Sequence, residues 1–470
     1  MTSTAASYRE IRDANGRVYR VGETDRDLLG MSRAWMVWLP WFAMMAVSVF
    51  EYGFGAAAST VRHAHGWSLS QTFWLLSIWA VFQALVAFPA GRLREKGIVS
   101  ARAAMLAGAV LAATGFISIA HSDSLMLAYL GFSVCGGTGV GLVYATCINM
   151  VGKWYPERRG AKTGFVNGGF AYGAVPFIFI FSYALHPGNY SMVLDLVGIF
   201  MLLVVGLAGV FFKDPPKSWW PAHIEPLQWA ASKSGAQSLQ KNPPAVKQYS
   251  PMEAVKTGML PLMWLSLGIT AGVSLFGISY MVPFAKHLGF GPLIAASSAG
   301  VLSIVNGTGR AVTGVVSDRL GRKQTLLIVL LVSAVSLVGL LYAGNAKNQP
   351  AFLVFAFLVG FGGGAFYPMF ASLVPDYFGE NNNASNYGLV YSSKLVGSVV
   401  GIGVGASVID NWGYTGAYWL AAASALLSAA VATFLRQPGR RPATAKPSRN
   451  RTAAKPVAQQ DVAIAPNWAD

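Results

Sequence analysis

Apolar residues in this chain gather in blocks instead of lining one face of otherwise polar helices. Twelve blocks can be drawn: 34–59, 70–90, 101–121, 125–150, 161–184, 190–212, 258–284, 292–316, 323–343, 350–374, 385–409 and 414–436. A helix needs about 20 mostly apolar residues to cross a hydrocarbon core, so each block is long enough to span with some tilt. Short polar turns join them, with one exception. Residues 214–257, rich in Pro, Lys and Gln, separate six blocks from six. The pattern predicts an all-α membrane protein with twelve transmembrane helices in two six-helix halves. Its expected parts are a tail (1–33), a bundle (34–213), a linker (214–257), a second bundle (258–436) and a basic tail (437–470).

Composition agrees. The 470 residues are 54% hydrophobic and 11% charged, against about 25% charged in a soluble protein. Mean hydropathy is +0.47. The net charge of +16 would suit nucleic acid, but its distribution argues for loops beside a membrane. Arg92, Arg94, Lys96 and Arg102, then Lys153, Arg158, Arg159 and Lys162, then Arg319, Arg322 and Lys323 mark one side. By the positive-inside rule that side, with both termini, is cytoplasmic at a plasma or inner membrane. The loop 375–383 is acidic and breaks the rule. The first 33 residues carry mixed charges, are expected to be partly disordered, and hold no cleavable signal. The tail from Arg436 carries seven cations and no acid through Lys455, suiting an orientation signal or anionic lipid. Cys135 and Cys147 lie in one block, so no disulfide framework exists.

A repeat spans the divide. The turn Gly314-x-x-x-Asp318-Arg319-x-Gly321-Arg322-Lys323 has a degraded copy at Gly91-Arg-Leu-Arg-Glu95, about 223 residues earlier. Gly136-Gly137 answers Gly362-Gly363, and Asn167-Gly168 answers Ser393-Lys394. Gly314, Asp318, Arg319, Gly321 and Arg322 are candidates for a gating turn.

Charges inside the blocks carry the chemistry. Arg310 lies two turns before Asp318, roughly 12 Å deeper at about 1.5 Å per residue, near mid-membrane. A guanidinium stays charged there, and holding it costs several kcal/mol unless something compensates. Lys394 sits near the middle of block eleven. Neither block eight nor block eleven offers it or Arg310 a carboxylate, so they read as two unpaired cations. A bound anion is the simplest compensation, with Arg310 gripping a carboxylate bidentately and Lys394 acting as a point charge. Glu51 is the one deep carboxylate of the first half. It either pairs with one of these cations when the site is empty, or titrates as a proton carrier, or reaches water at its helix end. Tyr52, Tyr144, Tyr280, Tyr367 and Tyr391 suit the walls of a small pocket, though aromatic residues at helical spacing more often serve packing. The histidines His63, His65, His121 and His287 fall in outer loops and form no metal set. No nucleophile with a base, no nucleotide loop and no metal or cofactor site is evident, which argues against an enzyme.

The stretches Gly136–Phe165, Asn306–Thr325 and Asn386–Gly403 make the chain similar to the oxalate/formate antiporter family of the major facilitator superfamily. The resemblance runs from block one to block twelve. It implies a major facilitator fold with the site between the halves. It also implies that Arg310 and Lys394 bind substrate carboxylates, with Tyr52, Tyr144 and Tyr367 as site tyrosines. Two departures stand out. Glu51 replaces a glutamine of the family, and Gly363 replaces a bulky aromatic. The first leaves the site near +1, and the second widens it. The expected function is secondary active transport of small organic anions of the oxalate, formate or lactate type, by antiport or linked to protons. Its partners are substrate, proton and lipid, in a monomer. An exporter of another solute and a transporter-like anion sensor are the alternatives.

Overall fold

A computed structural model describes residues 8–12, 18–122, 124–232 and 238–440. These build twelve membrane helices, most of them in one piece. α1 comprises Trp35–Val47, Val49–Gly53 and Phe54–His65, and α2 comprises Leu69–Leu85 and Ala87–Glu95. α3 is Ala101–His121, and α4 comprises Leu125–Ala128, Tyr129–Gly136 and Gly137–Trp154. α5 is divided into Arg159–Tyr172 and Val175–Tyr183, and α6 is Tyr190–Val210. In the second half α7 is Met259–His287, α8 Pro292–Leu320, α9 Arg322–Asn345 and α10 Gln349–Phe378. α11 runs Asn383–Ile409 and α12 Asn411–Thr433, parted by Gly413 at φ 65°.

Ten of these are long and apolar enough to cross a membrane on composition alone. The other two are α5 and α8, and both depart from the pattern for a reason. α5 breaks at Gly173–Ala174, just before Pro176, where proline removes a helical hydrogen bond. α8 carries Arg310, Asp318 and Arg319 in one helix. The two helices pack so closely that a Cβ at Gly164 of α5 would strike the carbonyl of Arg310, and one at Gly168 that of Gly307. Polar segments of this kind stay inside a membrane protein only where neighbouring protein covers them.

Three stretches wind as π-helix: Val49–Gly53 in α1, Tyr129–Gly136 in α4 and Val399–Val404 in α11. Such turns often mark functional positions. Here the first of them carries Glu51 and Tyr52.

Within the first 33 residues, the described stretches hold regular structure. β1 (Arg9–Arg12) pairs antiparallel with β2 (Val18–Val21). Asp25–Leu29 forms a helix capped by Thr24 in a reciprocal capping box. The sequence signal is the alternation Val18-Tyr-Arg-Val21, which buries Tyr19 and Val21 against Trp220. The expected basic tail lies outside the described residues from 441 onward.

Candidate functional site at the junction of the two halves

Arg310 stands on α8 with 1% of its surface exposed. It forms no ion pair with any described residue, and its partners are neutral. Nη1 donates to the side-chain oxygen of Asn167 at 2.6 Å and to its carbonyl at 3.1 Å. Nη2 donates to Tyr52 at 2.9 Å and to the Asn306 side chain at 2.8 Å. Tyr52 also donates to Asn306 (3.0 Å), and Tyr144 to Asn167 (3.1 Å). The guanidinium lies over the Tyr367 ring, 5.0 Å from its centre. Asn306 is one helical turn before Arg310, on the same face. Gly364 lets α10 approach there, because a Cβ would strike the Asn306 carbonyl.

Lys394 begins a new helical segment after the break at Ser392–Ser393 and is also 1% exposed. It is not unpaired. Its Nζ donates to Glu51 of α1 at 2.5 Å and to Gln83 of α2 at 2.8 Å. Neither α8 nor α11 holds a carboxylate for it; the partner comes from the other half, one of the two pairings expected of Glu51. Glu51 is 5% exposed, so it does not reach water at a helix end. Of the two pairings open to it, the structure shows the one with Lys394. The ammonium is 5.9 Å from the ring centres of Trp79, Phe170, Tyr367 and Tyr391.

The structure therefore gathers Arg310, Lys394, Glu51, Tyr52, Tyr144 and Tyr367 around one junction, with Tyr391 stacked on Tyr144 at 4.8 Å. Tyr280 is not among them, since its hydroxyl donates to the Ile402 carbonyl. Sequence reasoning missed Asn306 and Gln83, and saw Asn167 only as a repeat position. Around the two cations several buried donors have no acceptor: Arg310 Nε, Gln83 Nε2, Trp79 Nε1, and the hydroxyls of Tyr367 and Tyr391. Buried donors normally find partners. A cluster lacking them beside two cations has the chemistry of an anion cradle.

The candidate gating turn lies at the face where α12 ends, Lys323 donating to the Thr433 carbonyl at 2.6 Å. Arg322 donates to Asp318 (2.6 Å), to Ser317 (2.9 Å) and to Asp376 (2.9 Å). Asp318 also accepts from the Ala161 amide of the other half at 3.2 Å, near the start of α5, where a carboxylate is favoured. Arg319 is exposed at the end of α8, and Gly321 turns the chain at φ 104°. A Cβ at Gly314 would strike the Gly160 carbonyl. Across the pseudo-twofold axis the degraded copy does the same work, with Gly91 against Ala384 and Glu95 accepting from the Ser385 amide at 3.1 Å and from its hydroxyl. Arg159 bridges to Asp376 (3.6 Å) and Glu380. The acidic loop that broke the charge rule thus belongs to this seam. Among the described residues no His, Cys, Asp and Glu cluster could hold a metal.

Twelve helices in two related halves, meeting at a buried polar junction, define a transporter rather than an enzyme. The chain belongs to the Major Facilitator Superfamily, whose family model matches residues 40–392 and 299–468. It is 25% identical to the oxalate:formate antiporter of Oxalobacter formigenes over 393 residues, 83% of this chain and 88% of that protein. It is also 25% identical to monocarboxylate transporter 12 of Mus musculus, covering 78% of each. A crystal structure of the Escherichia coli fucose:proton symporter FucP matches with TM-score 0.63 and 17% identity, over 86% of this chain and 98% of that one. That of the human organic anion transporter MFSD10 matches with TM-score 0.62 and 16% identity, over 85% and 99%. These two likenesses speak to the fold.

Proposed function

We propose that this transporter of small solutes carries small carboxylates by alternating access. The observation that carries the reading is Arg310, buried and without a carboxylate partner among the described residues, its own Nε and the hydroxyl of Tyr367 lacking acceptors. A carboxylate entering there would displace the neutral oxygens of Asn167, Asn306 and Tyr52 from the guanidinium. It would gain charge-assisted, bidentate bonds in their place. Tyr52, Tyr144 and Tyr367 shape the cavity, and Lys394 supplies the second positive group. The names of the oxalate:formate and monocarboxylate relatives support this substrate class.

Asn167, Tyr52 and Glu51 belong to one half, and Asn306, Arg310 and Lys394 to the other. Substrate bound between them screens the cations while the halves rock, whereas closure over bare cations carries a desolvation penalty. Glu51 balances Lys394 and is the proposed proton carrier. The seam formed by Gly314, Asp318, Arg319, Gly321 and Arg322 is the proposed gate on the cytoplasmic side, with both termini cytoplasmic in a plasma or inner membrane. The division into bundles 34–213 and 258–436 joined by the linker 214–257 is part of the same reading, as is a monomeric working unit in lipid.

Uptake of labelled lactate, formate and oxalate into proteoliposomes tests it. Carboxylate uptake abolished by Arg310→Ala supports the reading. A wild type that moves none of the three, or an Arg310→Ala variant that transports normally, contradicts it.

A further inference from the structure

The carboxylate of Glu51 lies in the same buried polar cluster as the site cations, yet it touches only one of them. Lys394 is held by Glu51 at 2.5 Å and by Gln83 at 2.8 Å, while Arg310 meets only neutral oxygens and rings. The two cations therefore stand in different states. One is already neutralised by a fixed carboxylate, and the other is open. A substrate with two carboxylates would need both cations and would have to displace Glu51 from Lys394. That would leave a buried carboxylate with no partner, in a setting where unpaired charge is expensive. A substrate with one carboxylate can be gripped by Arg310 while Lys394 stays paired with Glu51 and contributes its charge from there.

We infer that Glu51 takes the place of a second substrate carboxylate, and so limits the site to anions bearing a single negative charge. This rests on the carboxylate reading above and adds to it a residue that sets substrate charge. The selected ligands are short monocarboxylates. Dicarboxylates of the same size are refused because of their charge and not because of their bulk.

The same arrangement explains why Glu51 sits where it does. Val49–Gly53 is a π-turn, and the extra residue per turn re-aims the side chains relative to a regular helix. Gln83 Nε2 remains an unused donor beside the pair.

The test separates charge from size. Uptake of a labelled monocarboxylate into proteoliposomes is competed, at one fixed pH, by malonate and by its monomethyl ester. At neutral pH malonate is a dianion and its ester, larger by one methyl group, a monoanion, so a preference for the ester is one of charge and not of small size. In the wild type the ester should compete about tenfold or more better than malonate, as expected when one fixed carboxylate faces a second in a low-dielectric site. In Glu51→Gln the order should reverse, with malonate gaining about tenfold. Equal competition by both compounds in the wild type would overturn the inference, whether or not the variant folds. So would a Glu51→Gln protein that still takes up the monocarboxylate with the wild-type order of preference. If no carboxylate is taken up by the wild type, it is the carboxylate reading itself that fails, and the inference falls with it.

Discussion

Arg310 donates four hydrogen bonds to three residues drawn from both halves. An ammonium has no planar fork with which to reproduce that geometry. Arg310→Lys should therefore keep the charge yet lower carboxylate uptake by about tenfold or more, at the scale of losing charged hydrogen bonds. Initial rates over a range of substrate concentration would show it. Lys394→Ala makes a different prediction. It leaves Glu51 buried and unpaired, which costs on the order of 3–5 kcal/mol. Thermal unfolding in detergent should fall markedly, and adding Glu51→Gln should restore much of it. An unchanged midpoint in the single variant would mean that the pair is worth little here. Both cations were legible in the sequence because charged residues are so rare within the apolar blocks. The amides were not. Asn306, Asn167 and Gln83 are unremarkable by type, and only the approach of α5 to α8 and of α2 to α11 gives them a role.

At the scale of elements, the pattern of apolar blocks announced twelve helices but could not announce their breaks. The π-turns leave the residues just as apolar, so block length and composition carry no trace of them, whereas Pro176 marks the division of α5. The repeat at Gly91 and Gly314 was legible, because close approach there excludes a side chain. Gly314→Val would press its side chain on the Gly160 carbonyl, and overpacking of this kind costs about 1–3 kcal/mol. We predict that the substitution loosens the seam on the terminal face. A cysteine placed at Asn149, buried in α4, should then react faster with a thiol reagent applied from that face. A rate equal to that of Asn149→Cys alone would argue against the gate. Asp214, just past α6, joins α2 and α4 through Arg94 (2.6 Å) and Lys153 (3.4 Å). Burial pushes its carboxyl toward the neutral form, but the two cations outweigh this and hold its pKa at about 2. A lowered folded value stabilises the protein above the ordinary carboxylate range near 3.9. That contribution is lost as pH falls from there through about 2. Asp214→Asn should accordingly lower thermal stability at pH 7 and flatten its fall below about pH 4.

For the molecule as a whole, the described residues of the linker make specific contacts with their surroundings. Asn242 accepts from the Arg322 amide at 2.7 Å and donates to the Ser317 carbonyl at 3.0 Å, clamping the gating turn. Trp219 and Trp220 hold the N-terminal hairpin instead, through Arg20 and Glu23. The linker is thus fastened to the first half through Asp214 and to the second through Asn242. Composition alone excludes a soluble protein, and the charges in the loops suggest an orientation. What the sequence leaves open is which of the two cations Glu51 meets across the halves, and the structure shows Lys394.

The most direct measurement is uptake of a labelled monocarboxylate into proteoliposomes, with and without an imposed pH gradient, for the wild type and Arg310→Ala. The account predicts saturable uptake in the wild type, driven by the gradient if Glu51 carries the proton, and none above background in the variant. Equal uptake by the two proteins would contradict it.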